Sequence, residues 1–145
     1  MLRPGDANRP KDGERGFTLL ELLVVLAILG LLIGIVAPRV MDIFAHAKVQ
    51  VARQQIAQLG SVLQIYKLDV GSYPTTGQGL EALLTRPSGV RHWEGPYFKG
   101  GKVPEDPWGH PYIYRSPSDR PHHSYDLISL GPSGRPGGRG EIENE

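Results

Sequence analysis

The sequence predicts an α+β fold in which a long N-terminal helix, half membrane-spanning and half amphipathic, packs on a small C-terminal antiparallel sheet. Three observations carry this. Residues 17–37 form an apolar run whose single charged side chain is Glu21. Ile56, Leu59, Leu63, Tyr66 and Val70 then recur at three- and four-residue steps, the spacing of one helix face. Further on, Tyr112-Ile113-Tyr114-Arg115 and Ser124-Tyr125-Asp126-Leu127-Ile128-Ser129-Leu130 read as two strands joined by the turn-rich residues 116–123, which predicts an antiparallel pair.

The elements follow in order. Residues 1–16 carry four basic and three acidic side chains among several Gly and Pro, and read as an unstructured leader. The apolar run, at about 1.5 Å per residue, reaches about 31 Å, one hydrocarbon core. A secretory signal peptide would place a small-residue cleavage site behind that run. Here the run ends in Val36-Ala37-Pro38, where proline disfavours cleavage. A cut in front of the run, between Gly16 and Phe17, would instead leave the whole apolar helix on the mature protein. It would also free an α-amine on Phe17, four residues before Glu21. A carboxylate in lipid costs roughly 2–4 kcal/mol unless a partner neutralises it. Axially displaced neighbours could pair one chain's amine with another's Glu21, which makes this acid an assembly device.

Pro38 is expected to kink or locally melt the helix. Gly30 and Gly34 form a Gly-x-x-x-Gly pair suited to close helix approach or to local flexibility. Residues 38–71 make the amphipathic half, stopped by Gly71 with Pro74 just beyond. A continuous helix over 17–69 would be about 80 Å long. Residues 72–145 form the remaining domain. A short helix is expected around Leu80 to Thr85, ended by Pro87, followed by irregular chain over 86–104. Asp106-Pro107-Trp108-Gly109 fits a type I turn, with Asp to bond the backbone, Pro for its fixed φ and Gly last. Residues 131–140 are a glycine-rich loop, and no internal repeat is evident.

Composition excludes several classes. The 16 basic and 15 acidic residues are interspersed, with a net charge of +1, so no nucleic-acid footprint appears. Cysteine is absent, which removes disulfides, thiol catalysis and thiolate metal sites. His92, His110, His122 and His123 match no ligand spacing and read as surface histidines, with His122 and His123 on opposite sides of an extended segment. Trp93, Tyr97 and Trp108 read as packing residues on the small sheet. No catalytic Ser/His/Asp order, phosphate loop or paired carboxylate site is present, so no enzyme is expected.

Arg15-Gly16-Phe17-Thr18-Leu19-Leu20-Glu21 resembles the prepilin-peptidase motif of type IV pilins and pseudopilins. The resemblance implies cleavage after Gly16, N-methylation of Phe17, and Glu21 as the carboxylate that partners a neighbour's amine. Tyr73-Pro74-Thr75-Thr76-x-Gln78-Gly79-Leu80-x-Ala82-Leu83, Asp106-Pro107-Trp108-Gly109-x-x-Tyr112 and Ser129-Leu130-Gly131 further resemble the major pseudopilin of type II secretion, the general secretion pathway protein G family. That family implies a type IV pilin-like fold and a single-pass inner-membrane protein with its C-terminal domain in the periplasm. Subunits assemble into a homo-oligomeric helical filament that exports folded exoproteins. The implied partners are the prepilin peptidase, minor pseudopilins, and the inner-membrane assembly platform with its ATPase.

Related major pseudopilins bind calcium after the Ser-Leu-Gly segment, through carbonyls and aspartates that fall near positions 133, 140 and 141. Here those positions are Ser133, Gly140 and Glu141, so the usual aspartates are missing. The candidate calcium ligands are Glu141 and the carbonyls of Leu130 and Ser133, with Glu143 and Asp126 nearby. The alternative is a calcium-free loop braced by its prolines. Two other functional readings stand beside the major pseudopilin: a type IV major pilin or minor pseudopilin, and an uncut, monomeric anchored domain.

Overall fold

The computed structural model describes residues 16–145, so the leader up to Arg15 lies outside the described residues. Its chain divides into two compact units, one ending at Met41 and the other spanning Asp42–Glu145. Helix α1, Leu19–Val70, contributes to both.

Of the kink or local melting expected at Pro38, melting does not occur, since α1 is helical on both sides of that residue and through it. Proline removes one backbone donor and crowds the preceding turn. The remaining backbone bonds of a long helix hold the turn around it. At the other end the expected stop is observed. Gly71 takes φ +93°, and its N–H donates to the Lys67 carbonyl at 2.8 Å, closing the last turn in a conformation that glycine adopts without a Cβ penalty.

Within the unit Asp42–Glu145, α1 buries Ala52, Ile56, Leu59, Leu63 and Tyr66. Four of these five carry the predicted face. Val70 is only partly buried, and Ala52 extends the face by one more turn. Against them pack Leu80, Ala82, Leu83, Tyr112, Tyr114, Leu127 and Ile142. The helix expected near Leu80 to Thr85 is a single 3-10 turn, Leu80–Leu83. Leu84 and Thr85 donate to the Glu81 carbonyl and close it. Pro87 follows too soon for a longer helix.

The sheet has order β1-β2-β3 and is antiparallel throughout, with β1 Ile113–Arg115, β2 Asp126–Ser129 and β3 Ile142–Glu143. Tyr114 faces Leu127 across the first pair and Ser129 faces Ile142 across the second, so one side of the sheet closes the core. The sequence pattern predicts only β1 and β2. Strand β3 carries a single buried apolar residue, Ile142, too little to show an alternating pattern.

Two packing expectations change. Trp93 donates through Nε1 to the Ala82 carbonyl at 2.8 Å and stacks edge-on to Tyr97, which stacks edge-on to Tyr66 of α1. These aromatics therefore cover the helical side of the core rather than the sheet. His122 sits in a turn at φ +67°, not in an extended segment. The Asp106 turn forms as expected: the Gly109 N–H reaches the Asp106 carbonyl at 2.9 Å, and Asp106 Oδ1 accepts the N–H groups of Trp108 at 3.0 Å and His110 at 2.8 Å.

Candidate functional site

Gly16, Phe17 and Thr18 precede the first helical residue, Leu19, so the Gly16–Phe17 bond lies in non-helical, exposed chain. Phe17 is 85% exposed. The junction is thus accessible chain outside the helix.

Thr18 sets that boundary. Its Oγ1 accepts the Glu21 N–H at 3.1 Å, and its carbonyl accepts the first helical N–H, that of Leu22, also at 3.1 Å. Both bonds identify Thr18 as the N-cap. The sequence reading gave Thr18 no role, although Thr18-x-x-Glu21 is the spacing of a capping box. Glu21 stands in the first turn, exposed, beside the positive end of the helix dipole. The side chains of Leu19, Leu20, Leu22, Leu23, Val24 and those that follow to Val36 are likewise exposed. A Cβ built on Gly30 or Gly34 would meet no atom within 4 Å, so both glycines face open space in the single chain.

The candidate calcium ligands can be placed individually. The Leu130 carbonyl accepts the Ser133 hydroxyl at 3.2 Å, and Glu141 Oε2 accepts the Gly137 N–H at 3.0 Å. Gly131, at φ +62°, lies so close to the returning chain that a Cβ there would stand 2.2 Å from the Gly140 oxygen. Glu143 and Asp126 lie outside this loop, both bonded to Arg120. Calcium asks for six to eight oxygens, several of them carboxylate. Among the described residues no three His, Asp or Glu side chains converge as such a site requires. The donor set in this loop, one carboxylate already bonded to a backbone amide, does not fit calcium.

One Ser/His/Asp grouping does occur. Ser129 is fully buried, and its Oγ donates to Asp106 Oδ2 at 2.6 Å and accepts the Gly131 N–H at 3.1 Å. His110 Nδ1 stands 3.6 Å from Asp106 Oδ1, beyond hydrogen-bond reach. The hydroxyl bonds the acid rather than an imidazole base, and no surface reaches it. The Ser129–Asp106 bond fastens the Asp106 turn to β2. His110 is thus half-buried, not one of the surface histidines expected.

Comparison with known proteins agrees with this geometry. The family model described as "Prokaryotic N-terminal methylation motif" matches residues 11–37, and that described as "Type II secretion system (T2SS), protein G" matches residues 39–145. The type II secretion system core protein G of Pseudomonas aeruginosa is 45% identical over 129 residues, covering 86% of this chain and 88% of the relative. The protein of the same name from Vibrio cholerae is 44% identical over 130 residues, covering 88% and 86%. Among solved structures, the crystal structure of the major pseudopilin from the type 2 secretion system of enterohaemorrhagic Escherichia coli matches with a TM-score of 0.63 at 33% identity, covering 72% of this chain and 91% of that one. With matches that together run from the apolar helix through the terminal strand, the chain belongs to the type II secretion system protein G family.

Proposed function

We propose that this chain is the major structural subunit of a type II secretion pseudopilus. It is cut between Gly16 and Phe17 by a prepilin peptidase, methylated on Phe17, and polymerised into a periplasmic helical filament that drives folded exoproteins across the outer membrane. The observation that carries the reading is the N-terminal segment itself. An exposed apolar helix starts two residues after the candidate cut, capped by Thr18, with Glu21 as its only ionisable side chain as far as Ala37.

That segment suits two environments in turn. In the inner membrane its backbone bonds are satisfied internally and its side chains face lipid. In the filament the same side chains meet other such helices, so the subunit exchanges one apolar environment for another. Glu21 then accepts the α-amine of a neighbour's Phe17, which neutralises an acid that would otherwise oppose burial. The unit from Asp42 onward faces the periplasm and acts as a structural body without catalysis. The buried, acid-bonded Ser129 supports that. Minor pseudopilins and the inner-membrane platform with its ATPase are the partners this role requires.

The test is intact mass and N-terminal sequencing of membrane-purified protein made with and without an active prepilin peptidase. The expected product with peptidase begins at methylated Phe17. A chain retaining Met1 beside active peptidase would return the protein to the class of uncut anchored domains.

A further inference from the structure

We infer that Arg120 is an internal cation that holds the C-terminal strand in place, so that this domain folds and stays folded without calcium. The observation is a single guanidinium that ties its own loop to two other segments. Arg120 Nε donates to Asp126 Oδ1 at 2.7 Å at the start of β2, and Nη1 donates to Glu143 Oε2 at 2.8 Å in β3 and to the Asn144 carbonyl at 3.2 Å. Nη2 donates to Asn144 Oδ1 at 2.7 Å. Arg120 itself lies in the connection between β1 and β2.

The acceptors are oxygens of the kind calcium would claim: two carboxylates, a carbonyl and a side-chain amide. A planar guanidinium takes them at fixed angles with several donors, which a lysine ammonium cannot reproduce. The remaining valences close locally. Ser118 Oγ donates to Asp126 Oδ1 at 2.6 Å, the Asp119 N–H points to Oδ2 at 3.4 Å, and Asn144 Oδ1 also accepts the Leu127 N–H at 2.8 Å. Asn144 Nδ2 donates to the Tyr125 carbonyl at 3.2 Å. A two-residue strand has little adhesion of its own, and here its end is fixed by this network rather than by the sheet ladder alone. In the preceding loop, residues 130–141, Glu141 is the one carboxylate and it accepts the Gly137 N–H, whereas calcium asks for several. The inference concerns how the domain is braced and does not depend on whether filaments form.

The experiment uses the full chain in detergent and follows thermal unfolding by the near-ultraviolet dichroism of Trp93 and Trp108, the two tryptophans of the sequence. Wild type is compared in excess EGTA and in millimolar calcium chloride, alongside Arg120→Gln under both conditions. The expected result is one wild-type midpoint in both solutions, and a midpoint about 5–10 °C lower in Arg120→Gln that calcium does not restore. Should Arg120→Gln not fold, Arg120→Lys, which keeps the charge and loses the fork, serves in its place, with a smaller calcium-independent fall. A wild-type midpoint raised by calcium would overturn the inference. So would an Arg120 variant that melts like wild type.

Discussion

Leu23 leaves 63% of its surface exposed, whereas Leu63 is fully buried, although both residues stand on the same helix, α1. The contrast extends to whole units. From Phe17 to Val36 the large apolar side chains are exposed, while the unit from Asp42 closes a core of Leu, Ile, Tyr and Ala around the second half of the helix and leaves Ile43, Phe44 and Leu68 outside it. Burial on one side and exposure on the other, with identical backbone structure, separate what holds the fold from what the fold is for. The C-terminal unit completes itself. The N-terminal unit needs an apolar surrounding that the single chain does not provide, lipid first and other copies afterwards.

Removing the one charge of residues 17–37 breaks this division at its functional end, and the largest effect is expected there. Glu21→Ala should yield a cleaved, membrane-held subunit whose C-terminal unit melts like wild type but which assembles no filaments in electron micrographs of osmotically released periplasm, where wild type does. Normal filaments from that variant would remove the pairing role. The next effect is energetic. Leu63→Ala removes buried methyl groups and leaves a cavity, which should lower stability by about 2–5 kcal/mol in denaturant unfolding. Leu23→Ala, changing a side chain that touches no core, should stay within about 0.5 kcal/mol in the same assay. Equal losses from the two substitutions would refute the separation of the units.

A third prediction concerns pH. Burial raises the Asp126 carboxyl, but the hydrogen bonds from Ser118, Arg120 and the Asp119 amide, with the Arg120 charge, outweigh it and hold the group below the usual carboxylate range. Folding then leaves Asp126 with fewer protons than the unfolded chain near the ordinary value of about 3.9. Its stabilisation is complete above about pH 4 and is lost as pH falls through the lowered folded value. Glu143, which shares Arg120, and Asp119, nearby in sequence, are the other acids at this cluster. Asp126→Asn should cost about 1–3 kcal/mol at neutral pH and converge with wild type at strongly acid pH, read from urea midpoints across a pH series. A constant difference at every pH would exclude the titration of Asp126 as its source.

The division between the units was legible in the sequence because both halves of α1 are written in strong periodic signals, one by uniform apolarity and the other by the spacing of Ile56, Leu59, Leu63 and Tyr66. Gly71 and the Asp106 turn were legible because each depends on local chemistry at fixed offsets. What escaped was set by contacts far apart in the chain. Strand β3 is defined by its partner Ser129, not by its own residues, and the Arg120 network joins positions 24 apart whose types, Arg and Asn, are ordinary surface residues. The destination of the Trp93 ring followed from a carbonyl, Ala82, that no side-chain pattern reveals.

Thr18 is different, because its signal was local and present. The Thr-x-x-Glu spacing marks an N-cap, yet the peptidase motif covers the same residues and explains them without it. Both readings meet in this short stretch: the helix begins late enough to leave Gly16–Phe17 outside it, and early enough to hold Glu21 in its first turn. Thr18→Ala removes the side-chain acceptor for the Glu21 N–H, at a cost of about 1 kcal/mol confined to the first turn. Amide exchange at Glu21 should therefore quicken about fivefold in the mature protein in detergent, with Thr18→Ser restoring the slow rate and the C-terminal unit unaffected. Unchanged exchange would mean that the helix start is fixed by the apolar surroundings alone, and the N-terminal unit would then depend on its environment for its boundary as well as for its stability.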